Sequence, residues 1–258
     1  MPRRGSLRGR AGEEADEEVV WIEEEGSSSY SYHVLNAYDD PADGDRVVLY
    51  VHRMDSTRGL GMADVVAGAG AEAGGGEREI LDAAPGGQPE VARLHRVVLD
   101  VARARVVSSE RVCELPSDFP CVSPRVVGQR FKYGYSVLYD PDYLRERGEE
   151  MPDDEEVPNF VAVLKHDVAE GVTHRFDLGD GRVCGDIIFV PREDCEVGAR
   201  EEDDGHLLVL AHRGERHMEG ADLLVVCART LTCVAEVEIP VRVPFGFHCG
   251  WHAGAGRW

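Results

Sequence analysis

The chain has 258 residues, and 43% of them are hydrophobic, which is enough to bury a sizeable core as one large domain or two small ones. Its formal net charge of −21 argues against a nucleic-acid partner, because phosphate binding needs clustered Lys and Arg. No run of 18 apolar residues is present, so we predict no membrane-spanning helix, while peripheral membrane contact stays open.

The acidic excess is concentrated in three runs, and the cysteines are scattered. The runs are residues 13–25, 149–156 and 201–204, which we interpret as solvated loops or faces. The seven cysteines form no CxxC pair. An odd number of cysteines without a signal peptide predicts reduced thiols in an intracellular protein.

Short apolar runs rich in β-branched residues, bounded by turn formers or charges, predict β-strands. In chain order they are Val47–Val51, Val97–Leu99, Val161–Leu164, Ile187–Val190, Leu207–Leu210 and Leu223–Val226. No long stretch shows sustained 3.6-residue periodicity. The sequence therefore predicts an all-β protein.

A strand–turn–strand unit recurs three times, at Arg96–Ser108, Ala162–Gly179 and Asp222–Pro240. Its turn positions, Asp100, Asp167 and Cys227, lie roughly 60 to 67 residues apart. Two such hairpins make a four-stranded sheet, and sheets repeated at this interval are typical of propeller blades. A sandwich of hairpins fits the same pattern.

The remaining segments are predicted to be irregular. Residues 63–87 are rich in Gly and Ala, and residues 140–158 are acidic and contain three prolines, so both predict surface-loop insertions. We expect residues 1–20 to be disordered. Neither insertion marks a domain boundary, and we treat residues 1–258 as one domain.

Two of the ten histidines lie among aromatic and apolar residues. His33 lies within Tyr30–Asp40, and His248 lies within Val243–Trp251. A propeller brings the inner ends of its blades to one axis, where residues distant in sequence can meet. Imidazole is a common ligand of iron, zinc and copper. Both histidines are candidate metal ligands, and ordinary surface or core histidines are the alternative.

Five blocks resemble, in order, those of the carotenoid cleavage oxygenase family. The first resembles the stretch around that family's third iron histidine, and the last resembles the stretch around its fourth. The blocks are Tyr32–Asp40 with Val47–Arg53, Asp118–Pro124 with Gly128–Tyr135, Gly185–Arg192 with Glu201–Leu208, Leu223–Leu231, and Pro244–Trp251.

The resemblance implies a seven-bladed β-propeller that holds Fe(II) on its axis through four histidines, with His33 and His248 as the third and fourth. It implies O2-dependent cleavage of a conjugated double bond in a carotenoid or apocarotenoid. Asp118 and Asp186 stand where the family has glutamates that orient the metal histidines. Phe119, Phe245 and Phe247 are candidates for lining a substrate tunnel, or else belong to an ordinary core. The resemblance allows a plastid or cytoplasmic location.

The chain departs from the family pattern in several ways. No histidine precedes His33, so the chain resembles a C-terminal half with about three to four blades, either a fragment or a degenerate copy. His52, His95, His212 and His252 are available as substitute ligands. Aspartate is one methylene shorter than glutamate, so we expect a longer hydrogen bond to imidazole unless the backbone shifts. Ile187 and Cys249 also stand where the family commonly has proline and glycine.

The sequence leaves open another function and another metal. A non-catalytic binding or scaffold protein derived from a propeller would also account for the missing histidines and the two aspartates. Zinc or copper could occupy the same histidines, because histidine content alone does not separate these metals. The oligomeric state is not predicted.

Overall fold

The computed structural model describes residues 19–24, 29–54, 92–140, 160–179, 181–192, 201–213, 220–244, 246 and 248–252. These residues form β-strands and one short 3₁₀ turn, which confirms the all-β prediction. The predicted insertion 63–87 lies outside the described residues, as do residues 1–18 of the predicted disordered start and residues 141–158. No helix in the described part of the chain has the length and apolar character needed to span a bilayer.

The first sheet is a four-stranded antiparallel meander in which each strand pairs with the next along the chain. Its strands are β1 (Tyr30–Asp39), β2 (Arg46–Met54), β3 (Arg93–Asp100) and β4 (Arg105–Arg111).

The other eight strands form two further meanders of the same kind, joined by a single residue pair between Phe160 and Cys184. The second contains β5 (Ser117–Val122), β6 (Tyr133–Tyr139), β7 (Phe160–Asp167) and β8 (Val172–Asp177), with the 3₁₀ turn Pro124–Val126 after β5. The third contains β9 (Arg182–Pro191), β10 (Gly205–Arg213), β11 (Gly220–Cys227) and β12 (Thr232–Ile239).

The predicted strands and hairpins are confirmed. The six predicted apolar runs lie within β2, β3, β7, β9, β10 and β11. The three predicted strand–turn–strand units are β3–β4, β7–β8 and β11–β12, which are the last two strands of each meander. The repeat in the sequence is therefore the outer hairpin of each sheet.

The three meanders are arranged radially, as in a propeller. Their first strands are neighbours, since β5 lies against both β1 and β9. Their last strands, β4, β8 and β12, are exposed along most of their length. Each carries charged side chains, which discourage an open edge strand from pairing with another molecule.

Two apolar clusters fill the spaces between successive meanders. One packs the first meander against the second, with Leu35, Tyr50 and Leu94 facing Val122 and Phe131. The other packs the second meander against the third and includes residues of β5, β6, β7, β9, β10 and β11. Face-to-face packing of the meanders fixes the positions of their inner strands, where the candidate site lies.

The acidic run 201–204 is not a solvated loop, which corrects our interpretation of it. Asp203 is buried and forms an ion pair with Lys165, with 2.7 Å between Nζ and Oδ2. The Glu202 carboxylate accepts the backbone N–H groups of Lys132 and Tyr133 at 2.8 and 2.7 Å. The run therefore attaches the start of β10 to the second meander.

The described cysteines are free thiols, in agreement with the prediction of reduced thiols. They are Cys113, Cys121, Cys184, Cys227, Cys233 and Cys249. Burial raises the pKa of Cys184, so this thiol stays protonated and acts as a small core residue.

Candidate metal site

The candidate site lies where the inner strands of the three meanders meet the C-terminal segment. His33 lies on β1, Asp118 on β5 and Asp186 on β9, while His248 lies in the segment after β12. These four residues, predicted from separate parts of the sequence, form one chain of contacts: Asp118, His33, His248, Asp186.

Irregular strand pairing accompanies each inner-strand residue of the site. The β1–β2 register shifts on both sides of the His33–Val34 stretch. The β5–β6 register shifts between Asp118 and Cys121, and the β9–β10 register shifts next to Asp186. Such bulges bend a strand and re-aim its side chains. They direct these three side chains towards the common centre.

His33 is held by Asp118. Its Nδ1 lies 2.8 Å from Asp118 Oδ1, which also accepts the Phe119 N–H at 2.9 Å. The hydrogen bond to Asp118 raises the pKa of His33, although partial burial opposes the rise. The carboxylate fixes the ring orientation and places the proton on Nδ1.

His248 is held by Asp186 in a looser version of the same arrangement. Its Nδ1 lies 3.3 Å from Asp186 Oδ2, and that oxygen also accepts the Cys249 N–H at 3.1 Å. Asp186 Oδ1 accepts the Ile187 N–H at 2.9 Å, just as Asp118 accepts the amide that follows it. The expected lengthening of the aspartate–imidazole bond thus occurs at Asp186, while the Asp118 bond has ordinary length.

The two rings face each other through Nε2, with 3.2 Å between the two atoms. If both Nδ1 atoms carry protons for their aspartates, both Nε2 atoms of the neutral rings present lone pairs. Two lone pairs at this distance repel unless a cation lies between or beside them. A metal ion bonds an imidazole nitrogen at about 2.1 Å, as zinc does, so one ion can reach both nitrogens. The donor set therefore fits a metal ion that accepts neutral imidazole.

Phe119 forms the apolar wall of the site. Its ring centroid lies 5.0 Å from that of His33, 5.5 Å from that of His248 and 5.2 Å from that of Phe160. Phe119 has φ of +51°, a left-handed conformation that costs a non-glycine residue free energy and is often found at functional sites. The other two candidate tunnel residues, Phe245 and Phe247, lie outside the described residues.

The four substitute ligands do not join the pair. His52 is paired with His33 in the β1–β2 register, His95 lies on β3, His212 on β10, and His252 is exposed in the C-terminal segment. Within the described ranges, no group of three or more His, Cys, Asp or Glu side chains is arranged to hold a metal ion. Among the described residues, the arrangement therefore contains two histidines.

Comparison with known proteins identifies the family. The profile described as retinal pigment epithelial membrane protein matches residues 1–253. The chain belongs to this family. A carotenoid cleavage oxygenase of Mycobacterium tuberculosis is 28% identical over 252 residues, covering 97% of this chain and 41% of the relative. A carotenoid 9,10(9′,10′)-cleavage dioxygenase of Crocus sativus is 34% identical over 134 residues, covering 51% of this chain and 23% of that protein.

Solved structures of family members share the fold. The cobalt-substituted apocarotenoid oxygenase of Synechocystis superimposes with a TM-score of 0.60 at 20% identity, covering 86% of this chain and 39% of that one. The likeness confirms the propeller class of fold and rules out the sandwich of hairpins. The chain spans about two-fifths of the length of the Mycobacterium and Synechocystis relatives.

Sequence reasoning missed part of the site. The backbone amides of Phe119, Ile187 and Cys249, which bind the aspartates, carry no recognisable side-chain signal. The sequence indicates His52 only as a substitute ligand, yet its ring is fully buried. Its two nitrogens have no hydrogen-bond partner among the described residues. The burial of His52 is indicated in the sequence only by its place at the end of the apolar run that forms β2.

Proposed function

We propose that this chain contributes His33 and His248 to an Fe(II) site that serves O2-dependent cleavage of a conjugated double bond in a carotenoid or apocarotenoid. The observation that carries the proposal is the convergence of two imidazole Nε2 atoms, each ring backed by a carboxylate. Membership of the family supports it. The names of the relatives and the cobalt substitution in the Synechocystis enzyme point in the same direction.

Each protein group has a distinct part in this proposal. Asp118 and Asp186 keep the protons of the two rings on Nδ1, so that Nε2 stays available as a neutral ligand. They also return negative charge to a site whose direct ligands are uncharged. When bound, Fe(II) supplies the capacity to bind and activate O2. Phe119 packs against both imidazole rings and gives the pair an apolar side.

Anaerobic loading of the full chain with Fe(II), followed by metal analysis, tests the metal assignment. Loss of a residue that hydrogen-bonds a metal ligand typically lowers metal affinity by about 10- to 100-fold. We expect His33→Ala and His248→Ala, which remove the ligand itself, to lower the Fe(II) affinity by more than this. His174→Ala is the matched control, since His174 is exposed on the outer strand β8, and it should bind iron as the unmodified chain does.

The same preparation tests the activity. Fe(II)-loaded chain, O2 and an apocarotenoid should give two shorter carbonyl products, detected by chromatography, and neither histidine variant should form them. Equal iron content in all three variants would show that the histidines are not ligands. Retention of zinc or copper in preference to iron would assign a different metal. Bound iron without cleavage would favour a non-catalytic member of the family.

Asp118→Asn is expected to weaken metal binding by about 10- to 100-fold. Asparagine keeps an acceptor for the Phe119 amide but removes the negative charge behind His33. Cobalt(II) titration, followed by its visible absorption, measures the affinity without depending on turnover. Asp177→Asn, on exposed β8, is the control. A cobalt affinity within twofold of that of the unmodified chain would show that Asp118 does not support metal binding.

A further inference from the structure

A cavity lies between the first two meanders, towards the end of β1 that is remote from the metal site. Its volume is about 290 Å³, near the lower end of the roughly 300–1,000 Å³ of small-molecule pockets. Tyr38, which lines it, follows His33 by five residues, or about 17 Å along an extended strand. The cavity is therefore separate from the histidine pair.

Three aromatic side chains form part of the wall of this cavity. Tyr38, Tyr50 and Phe131 are all buried and line it. The Phe131 ring meets the Tyr38 and Tyr50 rings edge to face, with centroids 6.3 and 4.9 Å apart. Burial raises the pKa of Tyr50, and neighbouring Tyr38 adds to the rise while Arg96 opposes it. The Tyr50 hydroxyl thus remains a hydrogen-bond donor at neutral pH.

Two arginines line the cavity without a carboxylate partner. Arg96 lies opposite Tyr50 in the β2–β3 register, and Arg130 directly precedes Phe131. Neither guanidinium has a carboxylate oxygen of any described residue within 4.0 Å. Glu110, the register partner of Arg96 on β4, also forms no ion pair with it.

One carboxylate, that of Asp40, also lines the cavity. Its Oδ1 accepts the Ala42 N–H at 3.0 Å within its own turn. The charged lining therefore consists of two cations and one anion. This balance matches a ligand with a single negative charge better than it matches a divalent anion.

Asn36 fixes the loop that carries Arg130 and Phe131. Its buried side chain donates to the carbonyls of Val126 and Gln129 at 3.0 and 3.1 Å and accepts the Gly128 N–H at 2.9 Å. Gly128 has φ of +76°, which a residue with a side chain adopts at a cost. Because the loop is anchored at three points, the cavity is held open in a defined shape.

We propose that this cavity is a binding site for a small aromatic or apolar carboxylate. Guanidinium groups pair with carboxylates through two parallel hydrogen bonds, and the aromatic walls suit an apolar body. Tyr38, Arg130 and Phe131 belong to two stretches of the family resemblance, Tyr32–Asp40 and Gly128–Tyr135, whereas Arg96 lies outside every block of it. The metal-site proposal uses His33 from the first of these stretches and no residue of Gly128–Tyr135.

Titration of the ¹⁵N-labelled full chain with sodium benzoate at constant ionic strength tests this proposal. We expect saturable shifts of the Gln129, Arg130 and Phe131 amides and of the arginine Nε–H signals. The double variant Arg96→Gln/Arg130→Gln should bind benzoate at least about tenfold more weakly than the unmodified chain. Arg175→Gln, on exposed β8, makes a charge change elsewhere and should leave binding unchanged.

Two further ligands decide the chemistry in the unmodified chain, so the test stands even if the double variant does not fold. Benzamide has the shape of benzoate without its charge, and inorganic phosphate has charge without an apolar body. Both should bind at least tenfold more weakly than benzoate. Equal binding of benzamide would indicate a merely apolar cavity, and equal binding of phosphate a general anion site. Either result, or unimpaired binding by the double variant, would overturn the proposal.

Discussion

Lys165→Met is expected to lower the free energy of unfolding by about 3–5 kcal/mol, the usual cost of removing one partner of a buried ion pair. The Lys165 and Asp203 side chains are only 6% and 5% exposed, and their charged atoms are 2.7 Å apart. Removing the ammonium would leave the Asp203 carboxylate desolvated, and Arg229 Nε, 3.7 Å away, is too distant for a hydrogen bond.

Lys165 has further partners that the methionine would lose. Its Nζ donates to the Arg229 carbonyl at 3.0 Å and lies 4.2 Å from the centroid of the Tyr133 ring. Because domains are stable by only about 5–15 kcal/mol, this one substitution removes a large fraction of the total. It should also weaken the packing of the third meander against the second. The distance between Asp186 and Asp118, which lie on these two meanders, should then vary more.

Urea unfolding followed by circular dichroism measures the effect. Lys132→Met is the matched control, since Lys132 also lies over Tyr133, at 5.0 Å, but is 44% exposed in its pair with Asp167. It should cost about 1 kcal/mol or less. The double variant Lys165→Met/Asp203→Leu should recover much of the loss, because no charge is then left buried. A loss no larger than that of the control would show that the pair does not hold the meanders together.

Acidification from pH 6.5 to 4 is expected to remove about 3 kcal/mol of stability through His166 alone. This side chain is buried between Ser136 Oγ, 2.8 Å from Nε2, and Thr173 Oγ1, 3.1 Å from Nδ1. Burial lowers its pKa to about 4 from 6.5. Between these values the unfolded chain binds a proton that the native chain does not bind. Stability therefore falls as the pH falls through this window, and the loss from His166 levels off about one pH unit below the native pKa.

Unfolding free energies at pH 4.5, 5.5 and 7 test this expectation. His166→Gln retains an amide donor and acceptor for Ser136 and Thr173 but has no titrating group, so its pH dependence should be flatter. His174→Gln, on the exposed strand β8, should keep the pH dependence of the unmodified chain. His52, whose pKa is lowered first by burial and then by neighbouring His166, remains in both variants and keeps the contribution of its burial. Equal slopes in His166→Gln and the unmodified chain would contradict the assignment.

The strands that were predicted and those that were missed differ in composition. β7, β10 and β11 contain uninterrupted apolar stretches, and most of their residues are buried or half-buried, so local pattern suffices to identify them. β5 (Ser117–Val122) contains proline and aspartate and is interrupted by a bulge. It was not identified because its place in the sheet depends on contacts with β1 and β9 rather than on its own residues.

The two aspartates of the proposed site could be predicted from sequence only through the resemblance, which also singled out the two histidines from the ten in the chain. His33, His248, Asp118 and Asp186 have no spacing that would reveal a metal site, since the contacts that join them span 85, 215 and 62 residues. The buried role of Asp203 was likewise invisible, because a run of acidic residues looks the same whether it is solvated or paired with a lysine from another strand.

The sequence by itself determined the β class, most of the strands and the repeated outer hairpins, because alternation of apolar runs and turn formers acts over a few residues. It also determined which side chains the chain has available for metal binding. Only the tertiary structure decided that β1, β5 and β9 lie side by side, that both histidines turn their Nε2 atoms to the same point, and that Arg96 and Arg130 share a cavity. These features arise from the packing of whole sheets against one another, whose apolar contacts join residues far apart in the chain.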